Sequence, residues 1–578
     1  MKEVPAGALA TVPPRFLVQD ALPNAAADTL VDLLQRRAAA HPERIAFAHL
    51  DRGERIAEEV SYGELDRQAR SVAESILSAG LQGRAVLLSL PSGLDFLRCF
   101  LGCLYAGAYA APAPGLESRR GIERNRSIVR SLRPAAVFAA EDARYRALVE
   151  ELPTACLAIT PGEALASTPA ERRPLPKPDG LAFIQYTSGS VSDPRGVGVT
   201  HRNIMANQAM IQEAFGHGDD LVGVNWLPLH HDMGLIGSVL QALYVGGRCI
   251  SMSPLAFLQK PSRWLRAVDT FRASSSGGPN FAYDLCCRKL DDTTARRLDL
   301  SSWTVAFCGS EPVRPATLRR FAELLRPAGF SERALHPCYG MAETTLFVSS
   351  ALPGTGLRTR RFAAEAASCG RAFGDSAIAV LDKRDAPAAL GHAGEICVAG
   401  DHVSPGFWDA EAQRTRPDPD REAVIDGRRY LRTGDIGAIV DGELFVLGRS
   451  RDMVIVRGTK VHAEDVEATA LALDTNGAPT AAAAFGIQEE DGERLILVCE
   501  IPHTSASGHA GETLLRRLRG TIGEMHGLIP ADVVLVRHGV IPRSINGKIR
   551  RSACRTLYLD DGLGGYSWCA RAAEGELA

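Results

Sequence analysis

Tyr186-Thr-Ser-Gly-Ser-Val-Ser-Asp-Pro-Arg-Gly196 is the stretch that decides how the rest of the chain is read. It follows Leu181–Gln185, a short strand-like apolar run. The loop supplies three closely spaced hydroxyls (Thr187, Ser188, Ser190), a glycine (Gly189) that lets backbone N–H groups come close to a ligand, and one cation, Arg195. Hydroxyls, accessible N–H donors and a cation placed after a strand are the parts of a polyphosphate cradle. The pattern G-x-x-x-x-G-K-[ST] is absent, so this is not a Walker loop. Taken alone, a Ser/Gly surface turn has the same composition. The surroundings must decide.

Upstream, helices and buried strands alternate. Ser61 and Glu64 form an S-x-x-E capping box ahead of Leu65, Ala69, Val72, Ala73 and Ile76, an apolar stripe at helical spacing. Ala85–Leu90 is a continuous apolar run closed by Pro91-Ser-Gly93, which suits a strand covered on both faces of a parallel sheet. Segment 161–180 is polar and Pro-rich and reads as a surface connection rather than packed structure. Downstream, strand-like runs recur at Thr304–Cys308, Glu395–Val398 and Glu443–Leu447. After the polar break Gly448–Arg451 come a strand (Met453–Val456), a helix (Glu464–Leu473), a strand (Leu495–Ile501), a helix (Leu514–Met525) and a strand (Asp532–Arg537). That succession predicts a small α+β unit with its own core behind a large α/β body.

Composition narrows the function classes. The chain has 578 residues, 65 basic and 68 acidic, for a net charge of −3. There is no basic field for nucleic acid. The 13 cysteines include no C-x-x-C pair, and most sit in apolar runs, as free thiols do in a reducing cytosol. The most apolar segment, Cys99–Ala111, is too short for a span of ~20 residues, and no signal peptide is visible at the N-terminus. A cytoplasmic protein without a membrane span is expected.

The loop does not stand alone. Trp226-Leu-Pro-Leu-His-His-Asp-Met-Gly-Leu-Ile-Gly237, Ser253–Gln259, Gly278–Leu285, Gly309-Ser-Glu-Pro-Val313, Tyr339-Gly-Met-Ala-Glu-Thr-Thr-Leu-Phe-Val348, Thr433-Gly-Asp435, Gly448-Arg449 and Ile541-Pro-Arg-Ser-Ile-Asn-Gly-Lys-Ile-Arg-Arg551 follow in order. In this order and at these intervals the chain resembles the adenylate-forming superfamily of acyl-CoA synthetases, nonribosomal adenylation domains and luciferases. Within it, residues 30 to 556 look most like the fatty acyl-AMP ligases. The resemblance implies an α/β fold: a large multi-sheet N-terminal domain (1–448) and a small mobile α+β C-terminal domain (452–578), joined by a hinge at 449–451. Arg451 holds the hinge position, usually Asp or Lys.

The resemblance also implies a two-step reaction with ATP and Mg²⁺. A fatty acid carboxylate attacks the α-phosphate, giving acyl-AMP and pyrophosphate, and a thiol then takes the acyl group. On this basis Thr187, Ser188, Gly189, Ser190 and Arg195 hold the β- and γ-phosphates. Relatives usually carry Lys at the Arg195 position, and Arg keeps the charge while adding a fork. Glu343 matches the Mg²⁺ ligand; Gly309, Ser310, Glu311, Tyr339 and Gly340 match the adenine pocket; Asp435, with Arg449, matches the ribose site. Lys548 matches the catalytic lysine and His231 a residue between the acyl pocket and the thiol tunnel. Outside such a series, Thr-Gly-Asp reads as a turn and Asn-Gly-Lys as a solvated loop. His230-His231-Asp232 could suggest a metal, but adjacent histidines do not easily face one ion.

Ala342 stands where most acyl-CoA synthetases have Thr, which favours the acyl-AMP ligase branch. The segment Ser349–Ala367 corresponds to an insertion of that branch associated with poor use of CoA, and is shorter here. No carrier domain is evident after Arg555. The expected acceptor is therefore the phosphopantetheine thiol of a separate holo acyl carrier protein. The alternatives are an acyl- or aryl-CoA ligase and a non-catalytic adenylate binder. Arg516, Arg517 and Arg519, or Arg119 and Arg120, could meet an acidic carrier, although a solvated surface face is the stronger reading of each.

Overall fold

The computed structural model describes residues 27–560 and 562–563, apart from 117–118, 141–155, 171–174, 187–194, 363–364, 450–451, 457–458, 474–478, 490–491, 503–508 and 544–547. Two large sheets form the body. In one, the strands Ile45–Asp51, Arg248–Met252, Val222–Asn225, Ser275–Gly278, Val305–Cys308 and Leu335–Gly340 lie side by side and parallel. In the other, Ala85–Ser89, Tyr109–Pro112, Ala136–Ala139 and Leu181–Tyr186 form the parallel centre. Every residue of Ala85–Ser89 and of Val305–Cys308 is buried, as covered parallel strands require.

The Cys99–Ala111 segment divides into the end of a helix, Leu94–Ala106, and a strand, Tyr109–Pro112, with left-handed Gly107 (φ 67°) stopping the helix. Gly102 lets this helix meet Tyr62–Ser78, because a Cβ there would lie 2.3 Å from Val72 Cγ1. The Ser61 cap is only half of the expected box. Its Oγ accepts from Glu64 N–H, but the Glu64 carboxylate turns to Arg67 and Gln68 instead. Segment 161–180 departs from a plain surface connection: Thr160 and Glu163 form a complete capping box that starts a helix, Pro161–Leu165, with Pro161 and Ala164 buried.

A third, antiparallel sheet joins Ala377–Leu381, Gly394–Ala399, Arg428–Val440, Glu422–Ile425 and Glu443–Arg449. Gly448 and Arg449, read as part of a break, belong to its last strand. Beyond it lies the small C-terminal domain. Its larger sheet, Ala481–Glu489, Gly492–Ile501 and Asp532–Arg537, separates two apolar cores drawn from residues 454–563, and Met453–Val456 pairs with Thr459–His462 in a second, two-stranded sheet. Helices Ala463–Leu471 and His509–His526 cover one face, and Arg551–Leu559 covers the other. Among the described residues, no helix is long and apolar enough to cross a membrane.

Candidate active site

Ligands of open α/β sheets bind beyond the carboxyl ends of the parallel strands. Here the singled-out motifs emerge at that edge. Val222–Asn225 leads into Trp226–Asp232, Ser275–Gly278 into Pro279 and Asn280, Val305–Cys308 into Gly309–Glu311, and Leu335–Gly340 into Met341–Glu343. In the second sheet Leu181–Tyr186 runs into the hydroxyl loop. Thr187, Ser188, Gly189 and Ser190 lie outside the described residues, as does Arg451.

Asp435 is the buried anchor of this edge. Tyr339 donates its Oη to Asp435 Oδ2 at 2.7 Å, and Arg449 Nε stands 3.1 Å from Oδ1. Antiparallel register puts Asp435 directly opposite Arg449, so sheet pairing creates the ion pair. Burial, then the Asp435 charge, pushes the Tyr339 phenol well above its ordinary range. The backbone here is crowded. A Cβ on Gly340 would lie 1.8 Å from the Leu346 carbonyl, and one on Gly309 would lie 2.8 Å from the Cys338 carbonyl. Ser310 takes a left-handed conformation (φ 70°), uncommon for a residue with a Cβ. Glu311 accepts from Phe281 N–H at 2.7 Å and ties two strand ends together.

Glu343 and Arg195 meet at a neighbouring corner, each already paired. Arg421 donates to Glu343 Oε1 at 2.5 Å and to the Thr433 carbonyl at 3.3 Å. Arg195 pairs with Asp418 at 2.8 Å and lies 3.7 Å over the Phe407 ring, whose centroid is 5.9 Å from Arg421.

The His230-His231-Asp232 turn is held from below by Gln185, which donates to the His230 carbonyl at 2.9 Å. A short helical turn then passes into a π-helix, Leu235–Leu240. Gly234 makes the turn possible, since a Cβ there would lie 2.3 Å from the Pro228 carbonyl. Burial lowers His230 to about 3 and, together with His230, Lys548 and Arg124, lowers His231 well below the usual range. Both rings are neutral at pH 7. Burial raises Asp232, opposed by the Lys548 charge. Among the described residues, no three His, Cys, Asp or Glu groups could jointly hold a metal ion.

Lys548 comes from the small domain and is half-buried at this edge. Burial lowers it from its ordinary range, while the carboxylates of Glu311, Asp232 and Asp435 pull it back. The ammonium therefore shares one electrostatic site with the Tyr339–Asp435–Arg449 group, Glu311 and the His231-Asp232 turn. A cation and a buried carboxylate that already accepts from a hydroxyl form a site able to hold a nucleotide and stabilise charge on a phosphoryl group.

The family model described as "AMP-binding enzyme" matches residues 34–408, more than half of the chain. The chain belongs to the AMP-binding enzyme family. Within it the chain falls in the fatty acyl-AMP ligase branch. It is 34% identical to the medium-chain-fatty-acid–[acyl-carrier-protein] ligase JamA of Moorena producens, over 94% of this chain and 97% of that one. It is 33% identical to a long-chain-fatty-acid–AMP ligase of Mycobacterium marinum, over 92% and 98%. Among solved structures, a Legionella pneumophila fatty acyl-adenylate ligase in complex with acyl adenylate and pyrophosphate matches at 32% identity, TM-score 0.68, over 93% and 97%.

Several residues of this AMP-binding enzyme site carry no signal in the sequence. Arg421, Asp418, Phe407 and Gln185 stand far along the chain from the groups they hold, and only the folded sheets bring them in. Register supplies one clue: Asp435 and Arg449 lie on consecutive strands around a tight turn at Asp441-Gly442.

Proposed function

We propose that this AMP-binding enzyme activates a fatty acid with ATP and passes it to the phosphopantetheine thiol of a separate acyl carrier protein. In the first step the carboxylate oxygen forms a bond to the α-phosphorus, the bond to the bridging oxygen breaks, and pyrophosphate leaves. In the second the thiol sulfur attacks the acyl carbon, AMP departs with the bonding pair, and the thiol gives up its proton. The observation that carries this reading is Lys548, a small-domain cation set among Glu311, Asp232 and Asp435 of the large domain.

Asp435 and Arg449 would hold the ribose hydroxyls, with Tyr339, Gly340 and Gly309–Glu311 around the base. Thr187, Ser188, Gly189, Ser190 and Arg195 would hold the outer phosphates, Arg195 exchanging Asp418 for phosphate. Glu343 offers Mg²⁺ a single hard carboxylate. That donor set fits an ion that arrives with the nucleotide and keeps most of its ligands as water and phosphate oxygen. Mg²⁺ would supply charge neutralisation on the departing pyrophosphate. Neutral His231 suits a residue bordering an apolar acyl chain, and we assign it there. We set the domains at 1–448 and 452–578, with a hinge at 449–451 about Arg451, and place the enzyme in the cytoplasm, where its free cysteines stay reduced.

The names of the relatives, an acyl-carrier-protein ligase and an AMP ligase, support a carrier thiol over CoA. A pyrophosphate-release screen over fatty acids of graded length tests the first step. Fatty-acid-dependent release with accumulation of acyl-AMP is expected; its absence with every acid would overturn the reading.

A further inference from the structure

The strand Gly492–Ile501 carries a glutamate, Glu500, whose side chain is fully buried. A buried carboxylate at the end of an apolar strand is costly unless its oxygens are satisfied. Here they are satisfied by one segment. Glu500 Oε1 accepts from Gly539 N–H at 3.0 Å and Ile541 N–H at 2.9 Å, and Oε2 accepts from Arg543 at 3.3 Å. Sheet alternation puts Glu500 on the face of Ile496 and Val498, the face covered by Ile541 and Cys554. The return limb is tied to the same place, because Arg550 N–H donates to the Pro542 carbonyl at 2.8 Å and Arg543 bridges Ile549.

A second buried carboxylate fixes the far side. Arg551 forks onto Glu467, which is 1% exposed, at 2.7 and 2.8 Å, and reaches Asp452 at 2.8 Å and Glu464 at 3.2 Å. Lys548 thus stands between two anchors, Arg543 on Glu500 and Arg551 on Glu467. Neither carboxylate has Lys548 as a partner in these contacts. The Arg551–Glu467 fork is bidentate and charge-assisted, a pairing that fixes geometry as well as energy, and Glu500 adds two backbone N–H bonds to its single Arg543 contact.

We propose that Glu500, through Gly539, Ile541 and Arg543, is a positioning residue for acyl-adenylate formation, holding the backbone that presents Lys548 to the α-phosphate, with the Glu467–Arg551 fork as its counterpart. This inference rests on the proposed function. A cation displaced by about 1 Å from the developing charge loses on the order of a hundredfold in rate. Glu500→Gln keeps the size of the side chain and gives up the charge that holds Arg543.

The test measures both half-reactions in the full-length enzyme with Glu500→Gln, Arg543→Gln, Arg543→Lys and Lys548→Ala. Glu500→Gln and Arg543→Gln should lower kcat for fatty-acid-dependent pyrophosphate release by about 10- to 100-fold. KM for ATP should stay within about threefold, and Arg543→Lys should recover part of the rate. Transfer from supplied acyl-AMP to holo carrier protein should be unchanged. Equal losses in both half-reactions, or an unchanged kcat for adenylation, would overturn the positioning role. Arg543→Gln serves the same comparison should Glu500→Gln fold poorly. If Lys548→Ala also releases pyrophosphate normally, the assignment of Lys548 fails first, so the two failures are distinguishable.

Discussion

At the scale of the residue, the site depends on a few charges whose values are set by burial and by one another. Burial lowers Lys548, and the carboxylates of Glu311, Asp232 and Asp435 oppose that shift while Arg449 adds to it. Removing Lys548 should cost ~3–4 kcal/mol of transition-state stabilisation, or roughly a hundredfold to a thousandfold in acyl-AMP formation. Lys548→Ala should therefore lose pyrophosphate release while ATP binding, followed by calorimetry, is largely kept. Because its value in the free enzyme is shifted down, the alkaline limb of kcat/KM for ATP in adenylation should fall below the ordinary lysine range. Tyr339 gives a second test. Tyr339→Phe removes the 2.7 Å hydrogen bond to buried Asp435 and should cost about 1.5–3 kcal/mol, read as a lower Tm and a raised KM for ATP.

At the scale of the element, close backbone approach explains which glycines matter. Gly340 sits where a Cβ would enter the Leu346 backbone, and that carbonyl, which accepts from Met341 N–H at 2.8 Å, cannot swing away as a side chain could. Gly340→Ala should destabilise by about 1–3 kcal/mol and weaken nucleotide binding more than the stability loss alone explains, measured by thermal unfolding with and without ATP. Gly354, with nothing within 4 Å, would not meet such a clash. This scale also shows what was legible in the sequence. Buried strands such as Ala85–Ser89 and Asp532–Arg537 were readable because an apolar run between turn residues has few other uses. The motifs fell at strand ends for the same reason. The partners were not readable: Arg421 on Glu343, Asp418 on Arg195 and Glu467 on Arg551 are contacts between distant elements, and a surface arginine looks the same in sequence whether or not it ends in a site. The half-made Ser61 cap shows the converse, a local pattern overridden because Arg67 and Gln68 compete for Glu64.

At the scale of the whole molecule, burial of titratable groups shapes stability on both sides of neutral pH. His217 and His230 lie near 3 and His201, His336 and His402 near 4, all below the usual 6.5 because burial disfavours the cation. The unfolded chain binds those protons first, so their contribution is present above pH 6.5 and is lost as pH falls toward 4. Glu464 has the opposite sign. Burial and its neighbours Glu467 and Asp452 raise it to about 7 from 4.5, so its contribution is full below 4.5 and is lost as pH rises through 7. Tm should therefore fall on acidification. Comparing Glu464→Gln with the parent chain should cancel the histidines and show a larger Tm gain in the variant as pH rises from 5 to 8, because the opposing loss at Glu464 is gone; an identical pH dependence would remove Glu464 from the explanation.

On the proposed assignment the large body would hold the nucleotide and the small domain would bring Lys548, so activation would require both, and transfer would require a thiol to reach the same adenylate. The most direct measurement incubates the enzyme with ATP, Mg²⁺, a fatty acid, holo acyl carrier protein and CoA together, and weighs the products by mass spectrometry. Acyl-AMP followed by an acyl-mass increase on the carrier, with CoA unmodified, is the expected result. Acyl-CoA beside an unmodified carrier would contradict it.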